Sequence, residues 1–193
     1  MRVGVLALQG SFAEHVQALH AVGASTVLVR LPVDMEGLAG LIIPGGESTT
    51  IGKLLVNSGL LEPLRVRVKK GMPVYGTCAG MILLARDIGG MDQPLIGVMD
   101  ITVRRNAFGR QLDSFEESLS VPALGNAPFR GVFIRAPLIE KTGSGVEVLA
   151  TLTDGRVVAA RQGTLLATAF HPELTEDGRV HGYFLEMIAG QAA

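Results

Sequence analysis

Apolar residues along this chain gather in short unbroken runs, and the stretches between them have helical spacing. Arg2 to Leu8 is the first run and ends at Gln9-Gly10; Ser25 to Val29, Gly40 to Pro44 and Met72 to Thr77 follow. Continuous apolar strands of this kind suit a parallel sheet covered on both faces, because neither row of side chains meets water. Between the first two runs, Ser11-Phe12-Ala13-Glu14 has the form of a capping box opening a helix through about Val22. A second helix starts near Thr49 with Ile51, Leu54 and Leu55 on one side, and a third covers Leu61 to Lys69.

The later part is richer in strands. Leu95 to Arg105, Phe115 to Val121 and Phe129 to Ile134 read as strands, broken by Gly109, Pro122 and Gly125. Val146 to Leu152, Arg156 to Arg161 and Thr164 to Ala169 read as hairpin-connected strands, with turns at Asp154-Gly155 and Gln162-Gly163. Gly178 to Ala189 is a closing helix. With no repeat, low-complexity tract or linker, residues 1–193 are expected to form one domain. The alternation predicts an α/β fold: a three-layer α/β/α sandwich with a mostly parallel central sheet and its site at the carboxyl ends of the strands.

Composition narrows the function classes. Hydrophobic residues make up 48% and charged residues 18%, which suits a packed core and excludes a disordered chain. A net charge of −1, with no basic run interleaved with aromatics, argues against nucleic-acid binding. The run Val3 to Leu8 is too short to span a membrane and lacks a signal-cleavage pattern, so it reads as a buried strand and no membrane association is expected. One cysteine cannot form an internal disulfide and suits a reducing cytoplasm.

That cysteine sits in Gly76-Thr77-Cys78-Ala79-Gly80, between a strand-like run and a helix-like run. A lone cysteine is more often a small buried hydrophobe than a catalyst. Strand, Gly-x-Cys-x-Gly and helix in succession reverse the balance, since this is the cysteine form of the nucleophile elbow. Such an elbow holds its nucleophile exposed above the sheet, and the following helix points its positive end at the sulfur, favouring thiolate.

A cysteine nucleophile needs a base, and the base needs an orienting group. His15 and His20, five residues apart on the first helix, and His181 on the last read as surface residues. His171 follows a buried strand and belongs to His171-Pro172-Glu173. Proline keeps the preceding residue extended, and in an extended segment side chains two apart point the same way. Glu173 is then placed to accept from the far ring nitrogen while the other faces the thiol. A third constellation is Pro44-Gly45-Gly46-Glu47-Ser48-Thr49-Thr50. Its paired glycines allow amide groups to converge on an oxyanion, although a tight turn followed by a Ser or Thr helix cap is the commoner meaning of such a segment. No His, Cys, Asp and Glu cluster has metal-ligand spacing, so no metal and no cofactor are expected.

Gly-Gly-Glu-Ser, Gly-Thr-Cys-Ala-Gly and His-Pro-Glu in this order resemble the class I glutamine amidotransferases, whose fold is flavodoxin-like. Five runs are similar to the branch that provides glutaminase subunits of pyridoxal 5′-phosphate synthases: Val5 to Gly10, Leu41 to Thr50, Tyr75 to Gly80, Arg104 to Gln111 and Gly131 to Pro137. The resemblance implies hydrolysis of L-glutamine to L-glutamate and ammonia. The ammonia would serve a synthase subunit that builds pyridoxal 5′-phosphate, the active form of vitamin B6, from a pentose phosphate and a triose phosphate. Carried over, it makes Cys78 the nucleophile, His171 the base and Glu173 its orienting acid. Gly46, Glu47, Ser48, Arg105, Ile134 and Arg135 would hold the glutamine, and the amides of Gly46 and Ala79 would form the oxyanion hole. Without the resemblance, Arg105 is a surface arginine on an edge strand. Gln9 and Gly10, on the same rim as Cys78, are expected to respond to the synthase partner, or else to form only a polar turn. Two other readings remain: a glutaminase serving a different acceptor enzyme, and a non-catalytic elbow-cysteine interaction module.

Overall fold

The apolar runs of the first half pair as parallel strands, as their continuity requires. The computed structural model describes residues 1–105 and 114–190, so Asn106 to Gln111 of the branch-specific run lie outside the described residues. β1 (Arg2–Leu6) lies between β2 (Ser25–Val29) and β3 (Gly40–Ile43), with Val5 opposite both Leu28 and Ile42. β4 (Val74–Thr77) pairs with β3 on one side and, still parallel, with the much later β12 (Leu165–Thr168) on the other. The sheet is mixed beyond that point. β11 (Val157–Gln162) pairs antiparallel with β12, with β10 (Glu147–Thr151) and with β9 (Leu138–Thr142). β9 pairs with β6 (Met99–Arg104), and β5 (Ala85–Asp87) adds parallel to β6. β7 (Ser114–Leu119) and β8 (Phe129–Ile134) form a separate antiparallel ribbon.

Helices cover both faces. α1 (Phe12–Ala21) and α5 (Arg179–Ala189) pack together on one, and α2 (Ser48–Asn57), α3 (Leu61–Lys69) and the short α4 (Ala79–Leu84) lie on the other. Alternation along β4 serves both: Tyr75 meets Phe184 of α5 at a ring-centroid distance of 5.7 Å, while Gly76 lies against Gly80 and Leu84 of α4. This is an α/β fold, and the carboxyl ends of β1, β3, β4 and β12 open on one rim.

Two details depart from the sequence reading. β5 and β9 were not expected; β5 has only three residues, two of them exposed, and β9 ends in exposed Glu140, Lys141 and Thr142. Ser11 occupies the N-cap of α1 but makes no capping hydrogen bond; its hydroxyl donates instead to Oε1 of Glu173 at 2.7 Å. The charge-assisted bond to Glu173 draws the hydroxyl away from the helix N–H groups, and the Ser11 N–H donates to the Gly45 carbonyl rather than to Glu14, so tertiary contacts replace both halves of the box. Among the described residues no helix is long and apolar enough to cross a membrane.

Candidate active site

β4 ends at Thr77 and α4 begins at Ala79, leaving Cys78 alone to make the turn. It does so at φ 47°, ψ −101°, a conformation that strains any residue with a Cβ. The strain is held from both sides. The Cys78 N–H donates to the Thr168 carbonyl at 2.8 Å, and Gly80 is packed so tightly on β3 that a Cβ there would collide with the Ile43 carbonyl. Cys78 does not stand exposed, as an elbow residue was expected to. It is 7% exposed, in a cleft of about 480 Å³ lined by the segments that follow β1, β3 and β8, with Arg105 and His171. The other non-glycine residue with positive φ among the described residues, Arg135 at 43°, lines the same cleft.

β12 delivers the expected base. Thr168 is its last residue, and three positions later the His171 N–H is tied to the Val132 carbonyl of β8 at 2.8 Å. His171 is extended, as the following proline requires (φ −107°, ψ 87°), but Pro172–Leu174 then forms one turn of 3-10 helix rather than continuing the strand. The fixed proline φ suits the first position of that turn. The turn brings Glu173 back to His171 all the same: Nδ1 and Oε1 are 2.7 Å apart. His171 lines the same cleft as Cys78. Burial disfavours charge on His171, but its interactions with Cys78 and Glu173 outweigh burial and push its pKa up to about 10. Glu173 is likewise opposed by burial, and the neighbouring imidazoles of His15 and His171 together with the Ser11 hydroxyl bring it down to about 2. At neutral pH this is an imidazolium held between a carboxylate and a sulfur.

The Gly45–Glu47 segment is gripped by the end of the first strand. The Gly45 carbonyl accepts from the Ser11 N–H at 3.0 Å, and the Glu47 N–H donates to Oε1 of Gln9 at 2.9 Å. Gly10 makes this closeness possible at φ 102°, since a Cβ there would occupy the place of the Gly45 carbonyl oxygen. Gln9 and Gly10 are thereby fastened to the segment that carries Gly46. Ala79, the other expected oxyanion donor, is the first residue of α4, adjacent to Cys78.

The cap of α2 is Glu47, not a serine or threonine. Its carboxylate accepts from the N–H groups of Thr49 (3.1 Å) and Thr50 (2.7 Å) and from the Thr50 hydroxyl (2.7 Å). Its modest burial resists ionisation, but these donors hold its pKa at about 2. The same carboxylate pairs with Arg105 at 3.1 Å, so Arg105 reaches across to the cleft. The Arg105 guanidinium also donates to Oγ1 of Thr49 and to Oε1 of Gln93, each at 3.1 Å. Ser48 is buried, and its hydroxyl donates to that Gln93 oxygen at 3.2 Å. Ile134, at the end of β8, completes the mouth with Arg135.

Several residues of this region had no place in the sequence reading. Gln93, in the loop after β5, gathers Ser48, Thr49 and Arg105 on one oxygen. His15 and His181, read as surface residues, are both fully buried. His15 Nδ1 lies 3.0 Å from His181 Nε2, and His15 Nε2 lies 3.1 Å from Oγ1 of Thr77 and 3.5 Å from Oε1 of Glu173. Burial lowers the pKa of both, that of His181 to about 3, so they are neutral at ordinary pH. A helical-wheel signal was available: His15 shares a stripe with Phe12 and Leu19, and His181 one with Phe184 and Ile188. Among the described residues no three His, Cys, Asp or Glu side chains converge as a metal-binding group.

Comparison with known proteins adds an independent line. Residues 5–190 match the model of the SNO glutamine amidotransferase family. A pyridoxal 5′-phosphate synthase subunit PdxT of Moorella thermoacetica is 62% identical over 188 residues, 97% of this chain and 100% of that protein. One of the same name from Herpetosiphon aurantiacus is 64% identical over 96% and 99% of the two chains. A crystal structure described as a glutamine amidotransferase superposes with a TM-score of 0.92 at 54% identity, covering 97% of this chain and 98% of the other. A putative GMP synthase component from Thermoplasma acidophilum, at 18% identity and a TM-score of 0.72 over 100% of this chain and 96% of the other, shares the fold.

Proposed function

We propose, from the premise that this chain belongs to the SNO glutamine amidotransferase family, that its cleft is where the glutamine chemistry takes place. The protein is the glutaminase subunit of a pyridoxal 5′-phosphate synthase. It hydrolyses L-glutamine to L-glutamate and ammonia, and the ammonia passes to the synthase subunit. In our reading residues 1–193 act as one domain, in the cytoplasm, where a lone thiol stays reduced. The observation that carries the site assignment is Cys78, on its strained elbow, sharing the cleft with His171, which is hydrogen-bonded in turn to Glu173.

The chemistry follows from that arrangement. Cys78 attacks the substrate carboxamide carbon as thiolate, its proton residing on His171. The carbonyl oxygen gathers negative charge, and the amides of Gly46 and Ala79 are the donors we assign to it. When the carbon–nitrogen bond breaks, His171 gives its proton to the leaving nitrogen, which departs as ammonia. A glutamyl thioester remains on Cys78. Water, deprotonated by His171, attacks it, expelling the thiolate and releasing glutamate. Glu173 keeps the Nδ1–H tautomer and balances the imidazolium. For the zwitterionic end of the substrate, Arg105 offers a guanidinium to the carboxylate and Glu47 a carboxylate to the ammonium. Ser48, Ile134 and Arg135 complete the walls.

Ammonia release, measured with and without the synthase subunit, tests the reading. It predicts turnover that rises several-fold on adding the partner. Absence of glutamine hydrolysis in the assembled complex would overturn it.

A further inference from the structure

Behind the proposed catalytic carboxylate lies a polar cluster whose two histidines have no part in the steps above. His15 on α1, His181 on α5, Thr77 at the end of β4 and Glu173 after β12 meet where all four are buried. Burying two imidazoles beside a carboxylate is costly unless their hydrogen bonds are arranged for it. Only one arrangement of protons suits the charges. If His15 carried its proton on Nδ1, the Nε2 lone pair would face Oε1 of Glu173 at 3.5 Å, and His181 would keep a buried Nδ1–H, an atom that has no partner. With the proton on Nε2, His15 directs an N–H at Thr77 and Glu173, and its Nδ1 accepts from His181 Nε2–H at 3.0 Å. The two rings then form a chain of dipoles with its positive end at the carboxylate, and the orphaned Nδ1 of His181 is a lone pair rather than a hydrogen.

We propose that His15, oriented by His181, is a positioning residue for the glutaminase reaction: a neutral imidazole N–H that, with the Ser11 hydroxyl, fixes Glu173 so that Oε1 faces His171. The inference rests on the assignment of Glu173 as orienting acid. Its physical advantage is neutrality. A lysine or arginine here would compete with His171 for the carboxylate, whereas a neutral dipole holds the oxygen in place and leaves its full charge for the imidazolium. All three contacts of Glu173 converge on Oε1, and Oε2 has no partner, so the carboxylate is oriented by donors on one oxygen only. Tyr75 and Phe184 wall the cluster, with Tyr75 6.3 Å from both His15 and His181 between ring centroids, which keeps the pair apart from water. The plain alternative is a polar staple between α1 and α5 that serves stability alone.

The test uses the assembled synthase complex to compare wild type with His15→Leu, His15→Gln and His181→Leu. His15→Leu should lower kcat ~10-fold, the worth of a buried N–H dipole 3.5 Å from the carboxylate, with the KM for glutamine within about twofold. His15→Gln, whose carboxamide nitrogen can stand where Nε2 does, should restore most of the loss, and His181→Leu should fall between it and wild type. Wild-type kcat in folded His15→Leu would overturn the proposal, as would a loss that glutamine restores no better than leucine. An independent arm needs no turnover. Nitrogen NMR of histidine-labelled wild type should show His15 as the neutral Nε2–H tautomer at neutral pH, and the Nδ1–H tautomer or an imidazolium would overturn the proposal even if the leucine variant fails to fold. Should the wild-type complex release no ammonia while the tautomer is as expected, the glutaminase reading fails and the assigned proton arrangement stands.

Discussion

Replacing Glu173 by glutamine removes a charge while keeping the shape, and the surroundings determine how the amide will sit. Oε1 faces Ser11, His171 and His15, while Oε2 faces no partner. The amide oxygen therefore takes the place of Oε1 and the NH2 group the place of Oε2. His171 keeps its tautomer, and the loss is that of the ionic part alone. The rise of the His171 pKa from 6.5 to about 10 favours the imidazolium by ~5 kcal/mol. That is the balance left after burial is offset, and Cys78 shares in it, so removing the carboxylate's charge is expected to cost on the order of 2–3 kcal/mol, a fall of roughly 10²-fold in kcat. Burial of the pair means that solvent does little to screen it. Glutamate formation by the complex across glutamine concentrations should show this fall with KM changed little. Unchanged kcat, or an effect confined to KM, would make Glu173 a substrate contact and refute the triad. A loss near ~10⁴-fold, the size seen when an amide imposes the wrong tautomer, would refute the argument from Oε1.

Other outcomes follow from the same geometry. Arg105→Ala should raise the KM for glutamine ~10-fold or more with kcat within a few-fold, since a carboxylate contact exists before reaction as well as during it; unchanged kinetics would return Arg105 to the surface. Gln9→Ala, which deletes the acceptor for the Glu47 N–H, should blunt the rise in activity on adding the synthase, and an undiminished rise would contradict a role in activation. Stability should fall as pH drops from about 6.5 toward 3, because unfolded histidine takes up a proton there while folded His181 does so only at about 3. The Glu173 contribution, present above its unfolded pKa of 4.5, is lost as pH falls toward about 2. The His171 contribution has the opposite sense, complete below 6.5 and lost as pH rises through about 10. Urea midpoints measured across this range would show it, and His181→Leu should flatten the upper part of the acid limb; a midpoint independent of pH would contradict the burial argument.

The parallel strands and the elbow were legible because local sequence determines them: unbroken apolar runs have no alternative to a doubly covered sheet, and Gly-x-Cys-x-Gly has few uses at a strand end. β9 was missed because Pro137 precedes it and its exposed second half, Glu140 to Thr142, lacks strand-like apolar residues. Ser11 and the two histidines were misread for a shared reason. Each has an ordinary local meaning, as helix cap or surface imidazole, and acquires its partner from a segment more than 160 residues away. Glu47 was assigned to the site without its second task as the cap of α2, because glutamate, unlike serine, threonine, aspartate or asparagine, is not a preferred N-cap residue. Long-range polar pairing leaves little local trace, and it is where sequence and structure diverge in this molecule.

The most direct measurement of the central claim is the covalent intermediate. Acid quench of the synthase complex during turnover with isotopically labelled glutamine, followed by peptide mapping, should recover a glutamyl thioester on the peptide containing Cys78. The adduct should be absent in Cys78→Ala, which should fold normally and release no ammonia. Ammonia production by the alanine variant at the wild-type rate, or label on any other residue, would contradict the account.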